Sequence, residues 1–344
     1  MTPPTRGWKP LIPVALLTFG LAACSQDGSS PLQPDDSGSL GTSARGKDGS
    51  GSDSKPVLDP AGVIVATNSA LAFADAPYRL SMIETYTDNP DEAGITVLWK
   101  NVGNKQLAHD FVPGDPRRSV AGEGWSDDPN VITFAIDTGD GVTFNGTSSA
   151  VTTGEIRDAM VTWDGVSCSD PGLDEVLTSL DLGVIAFLNG LGGSPFVVAD
   201  IQYGGWLEVE YGGGTLAATH TFIWVDDDGN PTDIDGNGVI DVAFREIYYD
   251  AICQACDPID FWNWEIHNGV NDPGRDIDIE SVTLHEAGHA LSQAHFGIGF
   301  VTIDGTLFET SNTVMAAAYA GPQTSLQGAD LGGHCSNWAT WPAN

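Results

Sequence analysis

A run of three histidines near the C-terminal end of the sequence constrains this chain most strongly. The segment LHEAGHALSQAHFG places His285 and His289 four residues apart, with Glu286 directly after the first. On a helix, side chains at this spacing lie on one face, so both imidazoles can bind one Zn²⁺ at about 2.0–2.1 Å. Glu286 is too close to the pair for an easy third ligand, but it is well placed to take a proton from water. The pattern therefore predicts a helix that carries two zinc ligands and a general base.

A catalytic zinc ion needs a third protein ligand and an open fourth position. His295 is the candidate, although it lies six residues after His289 and an unbroken helix would turn it off the ligand face. We therefore expect the chain to turn after Leu291. Glu309 is the alternative third ligand, but no matching acidic motif surrounds it. The remaining histidines are predicted to be structural or surface residues: His109, His220, His267 and His334.

The three-histidine array resembles the metzincin metalloproteases, whose pattern is HExxHxxGxxH. The chain departs from that pattern at Ser292, where the family has a glycine that supplies a left-handed helix terminus. Keeping the same backbone with serine would cost about 1–2 kcal/mol. Downstream, NTVMAAAY resembles the metzincin Met-turn, in which Met315 would lie beneath the three imidazoles. Tyr319 resembles the residue that lines the primed-side pocket in matrixins.

Other segments resemble parts of the matrixin fold over about residues 130–344. TTGEIRDAMVTWDGV resembles its first helix, FVVADIQYGGWL and AATHTFIWV its third and fourth strands, and VAFREIYY its fifth. DIDIESVTLHEAGHAL resembles the approach to the zinc helix, with Asp278 as the N-cap. The resemblance implies an α+β fold, in which a twisted, mostly parallel sheet with an antiparallel edge strand packs on the zinc-ligand helix.

The same resemblance implies a zinc-dependent endopeptidase in which Glu286 acts as the base. A substrate peptide would lie extended along the edge strand AATHTFIWV by strand addition. The main alternative is a non-catalytic cell-surface binding protein that keeps zinc for stability. The intact Glu286 argues against that alternative, because a structural zinc site has no use for a base. A metallohydrolase of cell-wall peptides is a third possibility, weakened because the sequence shows no wall-binding repeat.

The charge balance bears on the partners of the chain. Its 344 residues include 13 basic and 47 acidic side chains, which give a net charge of −34. Nucleic-acid phosphates would be repelled by such a chain, and electrostatic docking on anionic lipid is equally disfavoured. We therefore expect no nucleic-acid partner. The resemblance to metzincins implies protein or peptide substrates, and we expect the protein to be a monomer.

The first 23 residues are typical of an export signal. Arg6 and Lys9 precede the apolar run LIPVALLTFGLAA, which is too short to span a bilayer comfortably. The run ends in LAAC, which resembles a bacterial lipobox and implies cleavage before Cys24 and lipidation of that residue. Because Ser25 follows rather than Asp, we expect anchoring in the cell envelope at the outer membrane, facing the periplasm or the surface. An ordinary signal peptide with a coincidental cysteine is the alternative.

The remaining chain divides by composition. Residues 24–64 are rich in Gly, Ser and Asp and predict a lipidated cysteine followed by a flexible tether. Residues 65–344 predict the matrixin-like protease domain, with 65–120 as an N-terminal extension or a pro-region. Within this domain ITVLWKNVG, VITFAID and GVIAFLNGL are predicted to be strands.

An acidic loop is a candidate calcium site. The calcium-ligand positions 1, 3, 5 and 9 of an EF-hand-like loop are held by Asp233, Asp235, Asn237 and Asp241. Position 12 is Phe244, so the bidentate glutamate is missing and a full EF-hand is excluded. An isolated calcium loop and a solvated acidic turn remain the two alternatives.

Four cysteines remain after Cys24, and an even count in an exported protein suggests two disulfides with three possible pairings. We prefer the pairs Cys168–Cys335 and Cys253–Cys256. The C-x-x-C spacing of the second pair also fits half of a zinc knuckle, but the sequence contains no second half.

Overall fold

The structure is a computed structural model of the whole chain. It describes residues 59–88, 96–99, 109–118, 128–139, 143, 145–208, 211, 214–253, 260–266, 276–296, 300–301, 307–308 and 313–343. The predicted signal, lipidation site and most of the tether lie outside these ranges, as do His267, Cys256 and Glu309. No helix in the described ranges is long and apolar enough to cross a membrane.

Helices are interspersed among runs of strands along the described chain. The helices are α1 (Pro60–Phe73), α2 (Ser149–Asp164), α3 (Val184–Leu188), α4 (Ile279–Ala290) and α5 (Gly328–Trp338). The strands of the main sheet are β1 (Tyr78–Thr87), β2 (Thr96–Leu98), β3 (His109–Asp110), β4 (Ile132–Ile136), β5 (Leu173–Glu175), β6 (Ile201–Leu207), β7 (Thr215–Trp224) and β8 (Ile240–Asp250). Short pairs are formed by β9 (Ile252–Cys253), β10 (Asp260–Phe261), β11 (Asn263–Glu265), β12 (Asp276–Asp278), β13 (Phe300–Val301) and β14 (Leu307–Phe308).

One twisted sheet organises the molecule. Its strand order is β2-β1-β7-β8-β6-β4-β5, with β3 paired to the start of β8. Strands β5, β4, β6 and β8 are mutually parallel, whereas β8, β7, β1 and β2 pair antiparallel. The result is a mixed α and β architecture with a mostly parallel sheet, compatible with the predicted α+β class.

The predicted edge strand is not at an edge. Strand β7 contains AATHTFIWV almost entirely, but it pairs with β8 on one side and with β1 on the other. The partner β1 comes from residues 65–120, in which the sequence showed no motif. Its ten residues are nearly all buried, and this strand covers the edge that β7 would otherwise expose.

Helix α1 begins before the predicted domain boundary at residue 65. Asp59 caps it by accepting a hydrogen bond from the Gly62 N–H at 2.9 Å, and Pro60 occupies the first turn, where its missing N–H costs nothing. Asn68 then exchanges two hydrogen bonds with the backbone of Leu80, at 2.9 and 2.7 Å, which fixes α1 on β1. The end of the predicted tether, residues 60–64, is therefore part of a packed helix.

Most local predictions are confirmed, and one is wrong. The predicted helix, the strand at VITFAID and the strand at VAFREIYY are α2, β4 and β8. GVIAFLNGL instead forms α3, because the buried carboxylate of Glu246 accepts the backbone N–H groups of Val184 at 2.7 Å and Ile185 at 3.0 Å. A carboxylate at a helix N-terminus stabilises it, and short apolar runs do not distinguish strand from helix by periodicity. FVVADIQY enters a strand only at Ile201.

Helices α2 and α4 pack together on one face of the sheet. The indole of Trp163 in α2 donates a hydrogen bond to the Leu284 carbonyl of α4 at 2.8 Å. A disulfide joins Cys168 to Cys335, with a Cα–Cα distance of 5.7 Å, and connects the region after α2 to α5. This pairing is confirmed. Cys253 also takes part in a disulfide, and the predicted partner Cys256 lies outside the described residues.

Candidate metal centre

Helix α4 carries the candidate metal ligands and is capped as the sequence predicts. Asp278 adopts an extended conformation and accepts the Ser281 N–H at 2.8 Å, which satisfies one of the first-turn donors. The backbone N–H of Asp278 itself donates to the hydroxyl oxygen of Tyr319 at 3.1 Å. Because the helix is buried on almost every side, its position is fixed by packing from all directions.

The three histidines of the array converge on one point. The Nε2 atom of His295 lies 3.2 Å from that of His285 and 3.1 Å from that of His289. Three nitrogens about 2.0–2.1 Å from a tetrahedral zinc ion would be separated by about 3.3 Å. His285 and His289 are fully buried, and His295 is partly buried. The spacing therefore fits a zinc ion held by three imidazoles.

Backbone carbonyls fix the orientation of two imidazoles. The Nδ1 of His285 lies 2.7 Å from the Val314 carbonyl, and the Nδ1 of His289 lies 2.8 Å from the Gln293 carbonyl. A carbonyl only accepts, so each Nδ1 carries the proton and each Nε2 presents its lone pair to the common point. Burial, followed by the neighbouring His295, lowers the pKa of both rings well below the usual value. The neutral, metal-binding form therefore prevails at neutral pH.

Arg245 explains how the chain turns after α4. Helix α4 ends at Ala290, and Ser292 takes a left-handed conformation with φ of +63°, the geometry that the sequence comparison expected of glycine. The buried guanidinium of Arg245 donates to the Ala290 carbonyl and, at 3.0 Å, to the Ser292 hydroxyl. Asn337 donates to the Ser292 carbonyl at 2.9 Å. These bonds offset the strain and bring His295 back toward the other two rings.

Sequence reasoning missed Arg245, although a signal was present. It is the charged residue inside the apolar strand segment VAFREIYY, and a charge there must find buried partners. Burial lowers its pKa to about 10, and the charges of Glu84 and Asp110 act in the opposite direction.

Met315 lies directly against α4, the helix that carries His285 and His289. A β-carbon on Gly288 would come within 2.2 Å of the Met315 sulfur and 3.0 Å of the Trp163 ring, so only glycine fits there. The backbone N–H groups of Val314 and Met315 both donate to the buried carboxylate of Asp330, at 3.0 and 3.1 Å. Asp330 of α5 therefore holds the turn that contains Met315. The Met315 sulfur fills the space left by the absent side chain of Gly288.

Glu286 is fully buried beside the histidines. Its Oε2 accepts a hydrogen bond from the Thr219 hydroxyl on β7. Its Oε1 has no hydrogen-bond partner among the described residues, an exception that in native proteins calls for an explanation such as a catalytic role or a bound water. Burial raises the pKa of Glu286 well above the usual value, Thr219 lowers it, and the nearby Glu84 raises it further.

Strand β1 contributes two side chains that sequence reasoning missed. The ring of Tyr86 stacks on the ring of His285, with centroids 3.7 Å apart and planes 10° from parallel. The Oε1 of Glu84 lies 3.3 Å from the Nδ1 of His289. Burial raises the pKa of Glu84 to about 8 and lowers that of His289, so both groups are neutral near pH 7 and their contact is not an ion pair.

Tyr319 lies at the same end of β1. Its backbone N–H donates to the Thr87 carbonyl at 2.7 Å, and its ring meets that of Tyr86 edge-on with centroids 6.2 Å apart. Tyr319 therefore joins three parts of the site: the start of the zinc helix, the segment after Met315 and the end of β1.

The acidic loop brings three of its predicted calcium ligands together. Oxygen atoms of Asp233, Asp235 and Asp241 lie within 4.8 Å of one another. Asp241 is buried, however, and accepts hydrogen bonds from Arg117 at 2.8 Å and from Thr232 at 2.6 Å. Asn237 extends toward Asp110, with 3.2 Å between its Nδ2 and a carboxylate oxygen. The exposed oxygens of this loop therefore belong mainly to Asp233, Asp235 and Asn237.

The other described histidines lie away from this centre. His109 contacts the Ser81 hydroxyl at 2.9 Å, and His334 contacts the Ser169 hydroxyl at 2.7 Å and stacks on Trp163. His220 is buried between Tyr211 and Tyr248 on the opposite face of the sheet. None of them belongs to a group of metal-binding side chains in the described part of the chain.

In the comparisons with known proteins, no family model matches this chain and no curated protein matches it.

Proposed function

We propose that this chain is a zinc-dependent endopeptidase of the metzincin type, similar to the matrixins, that hydrolyses extracellular or periplasmic proteins. The observation that carries the proposal is the convergence of three imidazoles, with the Nε2 of His295 at 3.2 and 3.1 Å from those of His285 and His289, beside a buried glutamate with a free oxygen. Three imidazoles leave a fourth position for water or substrate, as catalytic zinc sites require.

The residues of the chain then have distinct roles. His285, His289 and His295 would hold Zn²⁺, which when bound polarises a carbonyl group and makes a nearby water molecule more acidic. Thr219 orients Glu286 by binding its Oε2. The free Oε1 of Glu286 accepts the proton of the attacking water and returns it to the leaving amine. Met315 supports the ligand platform through Gly288 and takes no part in the chemistry.

One observation favours the second candidate, a non-catalytic, zinc-stabilised surface binding protein. His285, His289 and Glu286 have no exposed surface, so an external peptide does not reach them in this arrangement. Structural zinc sites likewise keep no position open for a substrate. The unpartnered Oε1 of Glu286 weighs against this candidate, because burial of a polar group with no partner costs stability and a purely structural site gains nothing from it.

Replacement of His295 by alanine is expected to abolish stoichiometric zinc binding. Two remaining imidazoles leave the ion with too few protein ligands for either a structural or a catalytic site. Elemental analysis of the purified proteins measures this directly. His334→Ala is the matched control, because it removes another buried histidine and should keep one zinc per chain. Full zinc occupancy in His295→Ala would overturn the assignment of His295 as the third ligand and favour Glu309 in that role.

We propose that the acidic loop binds Ca²⁺ through Asp233, Asp235 and Asn237, with Asp241 held behind them by Arg117. A ligand that binds only the folded state stabilises it by RT ln(1 + [L]/Kd), about 2.7 kcal/mol at one hundred times Kd. Calcium is therefore expected to raise the melting temperature of the wild type, and less so that of an Asp233→Asn/Asp235→Asn variant. Equal melting temperatures in calcium and in a calcium-selective chelator would leave only the acidic-turn interpretation.

We also propose that Cys24 is lipidated and anchors the protein in the bacterial cell envelope, at the outer membrane. The support is the LAAC sequence with Ser25 behind it. Membrane fractionation of cells that express Cys24→Ser is expected to move the protein from the membrane to the soluble fraction. An unchanged distribution would contradict lipid anchoring through this residue.

A further inference from the structure

We propose that the end of strand β1, residues 84–87, occupies the substrate cleft as a built-in peptide and must leave it before another peptide can be cleaved. This inference rests on the proposed endopeptidase function. It concerns the contact between residues 84–87 and the metal centre, which holds that centre closed. It implies that the position left by these residues accepts an extended peptide with an aromatic side chain in place of Tyr86.

The backbone of β1 is bound as an extended peptide would be. It pairs antiparallel with β7 from the Tyr78–Trp224 pair to the Thr87–Thr215 pair. At its end Thr87 also forms a parallel bridge with Ala318, and the Thr87 carbonyl accepts the Tyr319 N–H. Residues 85–87 therefore lie between a strand of the sheet and the segment that follows Met315. A position in which both edges of a peptide find backbone partners is suited to peptide binding by strand addition.

The side chains of β1 close the metal centre. Glu84 and Tyr86 are two residues apart and point to the same face of the strand, toward α4. Tyr86 lies over the ring of His285 and contacts the ring of Tyr319, while Glu84 lies against the Nδ1 side of His289, behind its metal-facing Nε2. A substrate carbonyl must approach the Nε2 atoms and Glu286, and His285, His289 and Glu286 have no exposed surface while Tyr86 is in place. The part of β1 that blocks the site is thus confined to its last four residues.

The two halves of β1 are anchored differently. Tyr78, Leu80 and Ile83 belong to a hydrophobic cluster on the face of the sheet that α1 and α3 cover. Register shifts against β7 occur in both halves, between Leu80 and Met82 and between Tyr86 and Thr87. The half over α4 packs Tyr86 into the main core, but it also buries the Glu84 carboxyl with no hydrogen bond to its Oε1, and an unsatisfied buried polar group lowers the cost of local opening. The inference therefore requires residues 84–87 to separate from β7 while Tyr78–Ile83 stays in place.

A reversible cross-link tests whether this separation is needed. Thr85 and Ala218 are register partners, and Thr85 points away from Glu84 and Tyr86. A Thr85→Cys/Ala218→Cys variant is expected to lose cleavage of an unfolded protein by about tenfold or more when oxidised, because the open fraction sets the apparent activity. Reduction with a phosphine should restore the rate, with zinc content unchanged. Wild type treated in the same way controls for reduction of Cys168–Cys335.

A second cross-link serves as the matched control. Arg79 and Ile223 are register partners at the far, anchored end of β1. The oxidised Arg79→Cys/Ile223→Cys variant should keep the rate of the wild type, because that end does not have to move. In addition, Tyr86→Ala should raise cleavage by about tenfold, since it removes the ring from His285 and enlarges the open fraction.

Hydrogen exchange gives a readout that does not need turnover. A peptide hydroxamate, which combines an extended backbone with a zinc-binding group, should speed amide exchange in residues 84–87 and leave β7 protected. If those amides stay protected at saturating hydroxamate, or if the oxidised Thr85–Ala218 cross-link cleaves at the wild-type rate, the inference about β1 fails while the peptidase proposal stands. If zinc-loaded wild type, reduced cross-link and Tyr86→Ala all leave the substrate intact, the peptidase proposal fails.

Discussion

Replacement of Glu286 by glutamine is expected to lower the rate of peptide cleavage by about 10²–10⁴-fold, the usual contribution of a general base. Zinc should remain bound, because the three imidazoles are the ligands and the amide keeps the shape of the side chain. The amide can still pair with the Thr219 hydroxyl, so the fold should be kept. The loss should appear in kcat rather than in KM, since the residues that position a peptide are unchanged.

The measurement is digestion of an unfolded protein, with zinc content determined alongside. It is made in the wild type and in the Tyr86→Ala background, so that a closed site does not hide the effect. Glu155→Gln is the matched control: it makes the same chemical change on α2, outside the metal centre, and should leave the rate unaltered. Equal cleavage by zinc-loaded wild type and Glu286→Gln would remove the base from the mechanism and favour the surface binding protein.

Replacement of Arg245 by methionine is expected to destabilise the protein by about 1–3 kcal/mol for each buried acceptor that loses its donor. The Ala290 carbonyl loses its donor, and Ser292 keeps a left-handed backbone without the bond to its hydroxyl. His295 would then be less well positioned, and zinc affinity should fall by about 10–100-fold, as it does when groups that orient metal ligands are lost.

Urea unfolding and competition with a zinc chelator measure the two effects separately. Arg118→Met is the matched control, because Arg118 is equally buried but binds Asp200 and backbone carbonyls outside α4. It should lower stability by a similar amount and leave the zinc affinity of the folded protein intact. An equal fall in zinc affinity in both variants would show that Arg245 acts through general stability rather than through the turn at Ser292.

The parts of the site that could be predicted from the sequence are those encoded locally. Helical geometry alone relates His285 to His289, and an aspartate followed by a helical pattern marks the cap at Asp278. The left-handed conformation of Ser292 could also be predicted, because the metzincin pattern has a glycine at this position after the helix. The cysteine count left three pairings open, and the structure confirms the preferred Cys168–Cys335 pair, whose members are 167 residues apart in the sequence.

The parts that could not be predicted depend on contacts between distant segments. Pairing of β1 with β7 joins residues more than 120 positions apart, and nothing in YRLSMIETYT shows which edge it will cover. Tyr86 and Glu84 reach the metal centre only through that register. Likewise, α3 forms because the buried Glu246 of a distant strand caps it. Such tertiary contacts override the local apolar pattern that predicted a strand.

The coordination of zinc tests the central claim most directly. X-ray absorption at the zinc edge of the zinc-loaded wild type should show three imidazole nitrogens at about 2.0–2.1 Å and one further light atom from solvent. His295→Ala should lose this signature. A fourth protein ligand in the wild type, or a spectrum that His295→Ala leaves unchanged, would contradict a three-histidine site with an open position.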